Sequence, residues 1–233
     1  MYAIDRRPRR GRFVAAVTVA VGVWSLVLAA PADAIRPTSE SAEVAGSAQR
    51  ALDALETWQA TDRPSHYIRF VRAREHTAEL LAADVGVDAL ALATEWESGD
   101  DRKMTAMLSA LTQLGVPYRT RASEPGVGFD CSGLTSWAWR EAGVEIARTS
   151  SVQIREADEV DEHQAEAGDL VYYPGHVSMY VGQGFMVHSP THGRNVEVTP
   201  LSKRTSAFGD PVGDDTVVAA TSPQILTISP ALG

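Results

Sequence analysis

The chain has 233 residues, 44% of them hydrophobic, enough for one domain of ordinary size with a smaller appendage and too few for two full domains. Its formal charge is −9, and without the five Arg and two Asp of residues 1–34 it falls to −12, a balance that argues against general nucleic-acid binding. A single cysteine excludes an internal disulfide and every C-x-x-C metal motif.

Residues 1–34 read as an export signal. An arginine-rich start (Arg6, Arg7, Arg9, Arg10, Arg12) precedes an apolar run from Phe13 to Ala30 and the small-x-small site Ala32-Asp33-Ala34. Cleavage is expected after Ala34, with contact to the membrane only during export. The competing reading is an uncleaved anchor, since the apolar run approaches the length needed to span a bilayer.

From Ser41 to Trp58 the apolar residues Val44, Ala48, Ala51, Leu52 and Leu55 recur at helical spacing, and a second helical run follows Pro64 through Tyr67, Val71, Leu80 and Leu81. Gly86 marks a break before a short helix over Ala89 to Trp96. A further helix is expected from Arg102 to Leu114, closed by Gly115. Arg119 to Gly128, with Pro125, Gly126 and Gly128, reads as irregular. Beyond Gly143 the runs 170–173, 177–181, 185–188 and 196–199 are short, rich in Val and aromatics and punctuated by Gly or Pro, the pattern of an antiparallel sheet. The fold class is therefore α+β with helices followed by an antiparallel sheet. The expected divisions are a signal peptide over 1–34, a helical N-terminal region over 35–100, a catalytic domain over 101–205 and a loosely ordered tail over 206–233.

The chemistry concentrates at Cys131. Asp130 is a good N-cap, which places Cys131 in the first turn of a helix with Leu134, Trp137 and Ala138 inward. Free N–H groups and the helix dipole at that position favour the thiolate, the form that attacks a carbonyl carbon. His176 opens a strand after the turn at Pro174-Gly175 and is the candidate base. If Gly182-Gln183-Gly184 form a three-residue loop, Val181 pairs with Phe185, and His176 and His188 become diagonal neighbours on one face with Ser178, Tyr180 and Met186. A two-residue turn would put the two histidines on opposite faces. His188 can accept a hydrogen bond and so orient the base. Pro190 separates His188 from His192 and speaks against a paired metal motif; no metal or other cofactor is expected. There is no G-x-S-x-G elbow and no nucleotide-binding loop.

Six ordered blocks resemble the NlpC family of cell-wall cysteine peptidases, papain-like in architecture: Leu114 to Tyr118, Gly128 to Leu134, Arg148-Thr149-Ser150 with Gln153, Gly168 to Tyr173, His176 to Gly182 and Met186 to Pro190. The resemblance implies a nucleophile at Cys131, a general base at His176 and an orienting residue at His188. It implies substrate contacts at Tyr118, Asp130 and Ser150, each with a structural rival in packing, helix capping or turn formation. The implied activity is cleavage of peptidoglycan stem peptides, commonly between D-glutamate and the diamino acid, by an exported or wall-associated monomer. An amidase or acyltransferase of the same fold, and a wall-binding module without catalysis, are the alternatives. The chain departs from its relatives at Arg119-Thr120-Arg121, where many carry Trp-Gly-Gly, which touches the wall of the cleft. The helical region over 35–100 has no part in the resemblance and reads as a spacer, a targeting element or a lid.

Overall fold

The computed structural model describes residues 38–97 and 99–213; the expected signal peptide therefore lies outside the described residues. Two long helices, α1 (Ser39–Thr61) and α2 (Pro64–Val85), form an antiparallel hairpin. Thr38 caps the first by accepting from the Ser41 N–H, and Gly86, at φ 78°, closes the second in the left-handed conformation that glycine takes without cost. Then come α3 (Ala89–Glu97) and α4 (Asp101–Thr112), the latter capped by Asp100. Strands β1 (Ser123–Glu124) and β2 (Gly128–Phe129) make a small ribbon where sequence pattern indicates only irregular chain. Helices α5 (Cys131–Glu141) and α6 (Ser150–Glu156) precede the main sheet.

That sheet is antiparallel and six-stranded: β3 (Asp158–Val160), β4 (Leu170–Tyr173), β5 (His176–Gly182), β6 (Phe185–His188), β7 (Glu197–Pro200) and β8 (Ala207–Asp210), in the spatial order β3-β8-β4-β5-β6-β7. The last strand corrects the expectation of a loose tail from residue 206. Phe208 pairs with Val171 on one side and Val160 on the other, so residues 207–210 are interior to the sheet. The run Ala207-Phe208-Gly209-Asp210 holds one large apolar residue and a glycine, too little to signal a strand.

One continuous core joins every layer. Val44 and Leu55 of α1, Phe70 and Leu81 of α2, and Leu92 and Trp96 of α3 belong to the same cluster as Met107 of α4, Leu134 of α5 and Val177, Met179 and Val187 of the sheet. The helical region is thus packed into the catalytic part without a seam at residue 100. Its principal contacts are α1 on α4 and α3 on β5. Gln49, Asp53 and Glu56 of α1, Thr105 and Ser109 of α4, and Glu141 line a groove of about 400 Å³. Glu141 is the last residue of α5, whereas Cys131 is its first, roughly 15 Å away along the axis. α1 thus meets α5 at the end opposite Cys131.

Lys103 fastens α4 to the sheet. Its Nζ, in a residue only 6% exposed, lies 3.0 Å from Glu166, 2.9 Å from Asp169 and 2.8 Å from Asp210. Burial opposes its charge, but the bonds to the three carboxylates outweigh burial and raise its pKa. Burial likewise pushes the Asp169 carboxyl up, to about 6. Lys103→Met removes the cation and leaves the carboxylates stranded; a loss of about 3–5 kcal/mol in urea unfolding is expected. The loss should be larger at pH 8 than at pH 5, where Asp169 can take up a proton. An unchanged unfolding midpoint at both pH values contradicts this account.

Candidate active site

Cys131 is half-buried at the first position of α5. Asp130 holds that turn: its Oδ1 accepts from the Gly133 N–H at 2.7 Å and its Oδ2 from the Arg121 N–H at 2.8 Å. Arg148 grips both carboxylate oxygens at 2.9 Å and also donates to Ser132 Oγ at 2.9 Å and to the Ala122 carbonyl at 3.2 Å. A side chain at Gly133 would collide with that same Ala122 carbonyl, so this position of the nucleophile turn requires glycine. Gln153 of α6 braces the turn from behind, donating to the Ser132 and Ala147 carbonyls and accepting from Thr135 Oγ1. Asp130 takes the Gly133 N–H through its side chain and the Leu134 N–H through its carbonyl, so the Cys131 and Ser132 N–H groups remain the open donors of the turn.

The histidines converge on one another. His176 Nε2 and His188 Nδ1 are 2.9 Å apart, with ring centroids at 5.1 Å and planes nearly perpendicular. The route to this pairing differs from the one expected. The turn between β5 and β6 has two residues, Gln183 at φ 50° and Gly184 at φ 76°, the left-handed pair of a tight hairpin turn, and Gly182 pairs with Phe185. A bulge at Val181 absorbs one residue, so that Met179 still pairs with Val187 and Tyr180 with Met186. The two departures cancel, and the histidines meet. The face carrying Ser178, Tyr180 and Met186 is not an open site, however. Ser178 is fully buried, and Met186 packs with Val171 and Phe208 in a second small core.

The bulge is supported by α3. Trp96 Nε1 donates to the Val181 carbonyl at 2.7 Å, Glu95 accepts from the Gln183 N–H at 2.9 Å and from the Gln183 side chain, and Leu92 lies against Gly182. A bulge strips its residue of a ladder partner, and here an indole replaces it.

His188 is held from its far side. Its Nε2 lies 3.2 Å from Thr199 Oγ1 and 3.5 Å from Glu197, its cross-strand partner, which also pairs with Arg194. Burial opposes the charge of Glu197, but the bond from His188 and the Arg194 guanidinium outweigh it and keep the carboxyl below its usual range. Glu197 can only accept, so with one proton on each ring His188 carries its proton on Nε2. His188 then accepts from His176 Nε2–H, leaving the lone pair of His176 on Nδ1.

Tyr173, which no pattern singled out, sits between the two halves. It is the cross-strand partner of His176 through the Pro174-Gly175 turn, and the rings stack with centroids 4.8 Å apart. Burial raises its pKa, and the charge of nearby Cys131 adds to the rise. Tyr173 thus covers one face of the His176 ring. A second link runs through Ser189, next to His188, whose Oγ donates to the Phe129 carbonyl at 2.7 Å, two residues before the cysteine. Tyr118 is half-buried; it forms a parallel bridge with Phe129 and donates its N–H to the Arg194 carbonyl. Ser150 begins α6, two residues beyond Arg148. Among the described residues no group of three or more His, Cys, Asp or Glu is placed to hold a metal ion.

A half-buried cysteine at a helix start, packed on an antiparallel sheet that presents a histidine pair, is the papain-like arrangement. Residues 115–207 match the NlpC/P60 family. A probable endopeptidase of Corynebacterium glutamicum is 31% identical over 199 residues, 82% of this chain and 87% of that protein. The chain belongs to the NlpC/P60 family. A probable endopeptidase of Mycobacterium tuberculosis is 39% identical over 107 residues, 45% of this chain and 27% of that protein. A gamma-D-glutamyl-L-lysine dipeptidyl-peptidase of Bacillus cereus is 40% identical over 97 residues, 38% of this chain and 29% of that protein. The chain therefore spans under a third of the length of these last two relatives.

Three outcomes are expected. Burial, with the charges of His188 and Arg204 adding to it, lowers the pKa of His176 to about 4, so its imidazole stays unprotonated well below the ordinary value of 6.5. The His176 ring should accordingly remain neutral at pH 6 in an NMR titration, and a midpoint at 6.5 or above contradicts the geometry. The same shift means that stability present above pH 6.5 is lost as pH falls toward 4, because the unfolded chain takes up a proton that the folded one refuses. Trp96→Phe leaves the Val181 carbonyl unpaired, at a cost of about 1–3 kcal/mol, and should slow Cys131 alkylation by loosening His176. Destabilisation with an unaltered alkylation profile would reduce Trp96 to a packing residue.

Proposed function

We propose that the protein is an extracytoplasmic cysteine peptidase that cleaves peptide bonds in peptidoglycan stem peptides, with Cys131 as nucleophile, His176 as base and His188 as the residue that orients it. The observation that carries this reading is the 2.9 Å approach of His176 Nε2 to His188 Nδ1 on a sheet against which α5, with Cys131 at its first position, is packed. In this mechanism His176 takes the thiol proton, and the thiolate attacks the stem carbonyl. The tetrahedral oxyanion is held by the open N–H groups of Cys131 and Ser132. His176 then protonates the leaving amine, and water releases the acyl group.

The export pattern of residues 1–34 supports action outside the cytoplasm. Among the described residues no helix is long and apolar enough to cross a membrane. The name of the Bacillus cereus relative favours the bond that follows D-glutamate. Tyr118, bridged to Phe129 of β2, and Ser150, at the α6 start, are assigned to the substrate border in this reading. Asp130 acts on the substrate indirectly, through the turn it holds, because both its oxygens are engaged.

The test is digestion of purified muropeptides with mass analysis of the products. The wild type should release fragments cut within the stem; Cys131→Ala should release none, and His176→Ala should be slower by about 10²–10⁴-fold. Equal cleavage by Cys131→Ala, or products cut at the sugar–peptide amide, would overturn the reading.

A further inference from the structure

The charges around the candidate site do not balance. Asp130 is taken up by Arg148, and Glu197 by Arg194 and His188. Arg204, in the segment between β7 and β8, has no carboxylate partner among the described residues, in a chain with 30 acidic and 21 basic residues. Nor is it loose on the surface. Its guanidinium carbon lies 5.0 Å from the centre of the Tyr173 ring, and the same ring stacks on His176 at 4.8 Å. Arg204 is thereby linked through Tyr173 to His176, the candidate base. Across the nucleophile turn stands the other cationic stretch, Arg119-Thr120-Arg121. Arg119 lies over Gly128, and the Arg121 backbone is bonded to Asp130.

We propose that Arg204 is a substrate-binding residue that reads a free carboxylate next to the scissile bond, and so selects stem peptides whose side carboxyl groups are unamidated. A guanidinium lying on an aromatic face is fixed in plane by the cation–π contact, while its edge N–H groups stay free for two parallel bonds to a carboxylate. Arg204 is a cation with no carboxylate partner among the described residues, and its position on Tyr173 ties it to the ring that stacks on His176. This assignment rests on the peptidase reading above.

The experiment compares two synthetic stem peptides, one with its side carboxyl groups free and one with them converted to amides, using wild type, Arg204→Gln and Arg204→Lys. The wild type should prefer the acid stem. Arg204→Gln should cut kcat/KM for the acid stem about tenfold more than for the amide stem, mainly through KM, in keeping with a lost charge-assisted bond. Arg204→Lys should recover part of the difference. Equal losses on both stems would overturn the proposal while leaving the peptidase reading intact. If the wild type cuts neither stem, that reading fails instead. Calorimetric binding of the two stems to Cys131→Ala, with and without Arg204→Gln, then decides: a preference for the acid stem that Arg204→Gln abolishes supports carboxylate recognition, and its absence refutes it.

Discussion

The position of His188 relative to His176 depends on one carbonyl group. Where the β5–β6 ladder bulges at Val181, the backbone gives up a partner, and the Trp96 indole supplies one at 2.7 Å. Without the bulge, a two-residue turn would shift the register by one and carry His188 to the other face of the sheet, because side chains alternate with period two. An unpaired carbonyl buried there would favour exactly that slip or an open turn. The indole, the Glu95 bonds to Gln183 and the contact of Leu92 with Gly182 make the bulged register the one that leaves no group unmatched. A bond at Val181, about 17 Å along the strand from His176, thus sets the geometry of the candidate base.

Much of the candidate site was legible because its signals are local. The N-cap at Asp130 and the cysteine after it, the Pro174-Gly175 turn before His176, and the valine-rich alternation of β5 each follow from a few neighbouring residues. The hairpin register was reached by counting a three-residue loop, and the chain arrives at the same pairing by a shorter turn plus a bulge. Nothing in the residues near Val181 announces that bulge; its cause lies 85 positions away, at Trp96. Tyr173 and Glu197 escaped for the same reason. Each acts through a cross-strand partner, and register is a property of the sheet rather than of any stretch within it. The strand at 207–210 was missed because what makes it a strand is the pair of neighbours that enclose it.

Charge in this molecule is placed with economy. The buried Lys103 collects three carboxylates from two segments, Asp130 both caps a helix and receives an arginine, and Glu197 joins Arg194 to His188. Lys103 and Asp130 are each neutralised by partners distant in sequence, the condition under which a low-dielectric interior tolerates ions.

The clamp of α3 on the hairpin also bears on how such proteins could be assembled by recombination. A family alignment draws the catalytic module from residue 115. The packing draws it earlier, since α4 is tied by Lys103 to β8 and α3 is bonded to the turn of the histidine hairpin. A fusion joint at residue 115 would transfer Cys131 and His176 but leave behind the indole that supports the register of the histidine hairpin. The heritable unit is closer to residues 89–210, and a longer chain that carries only the alignment-defined piece must supply its own cover for the hairpin turn.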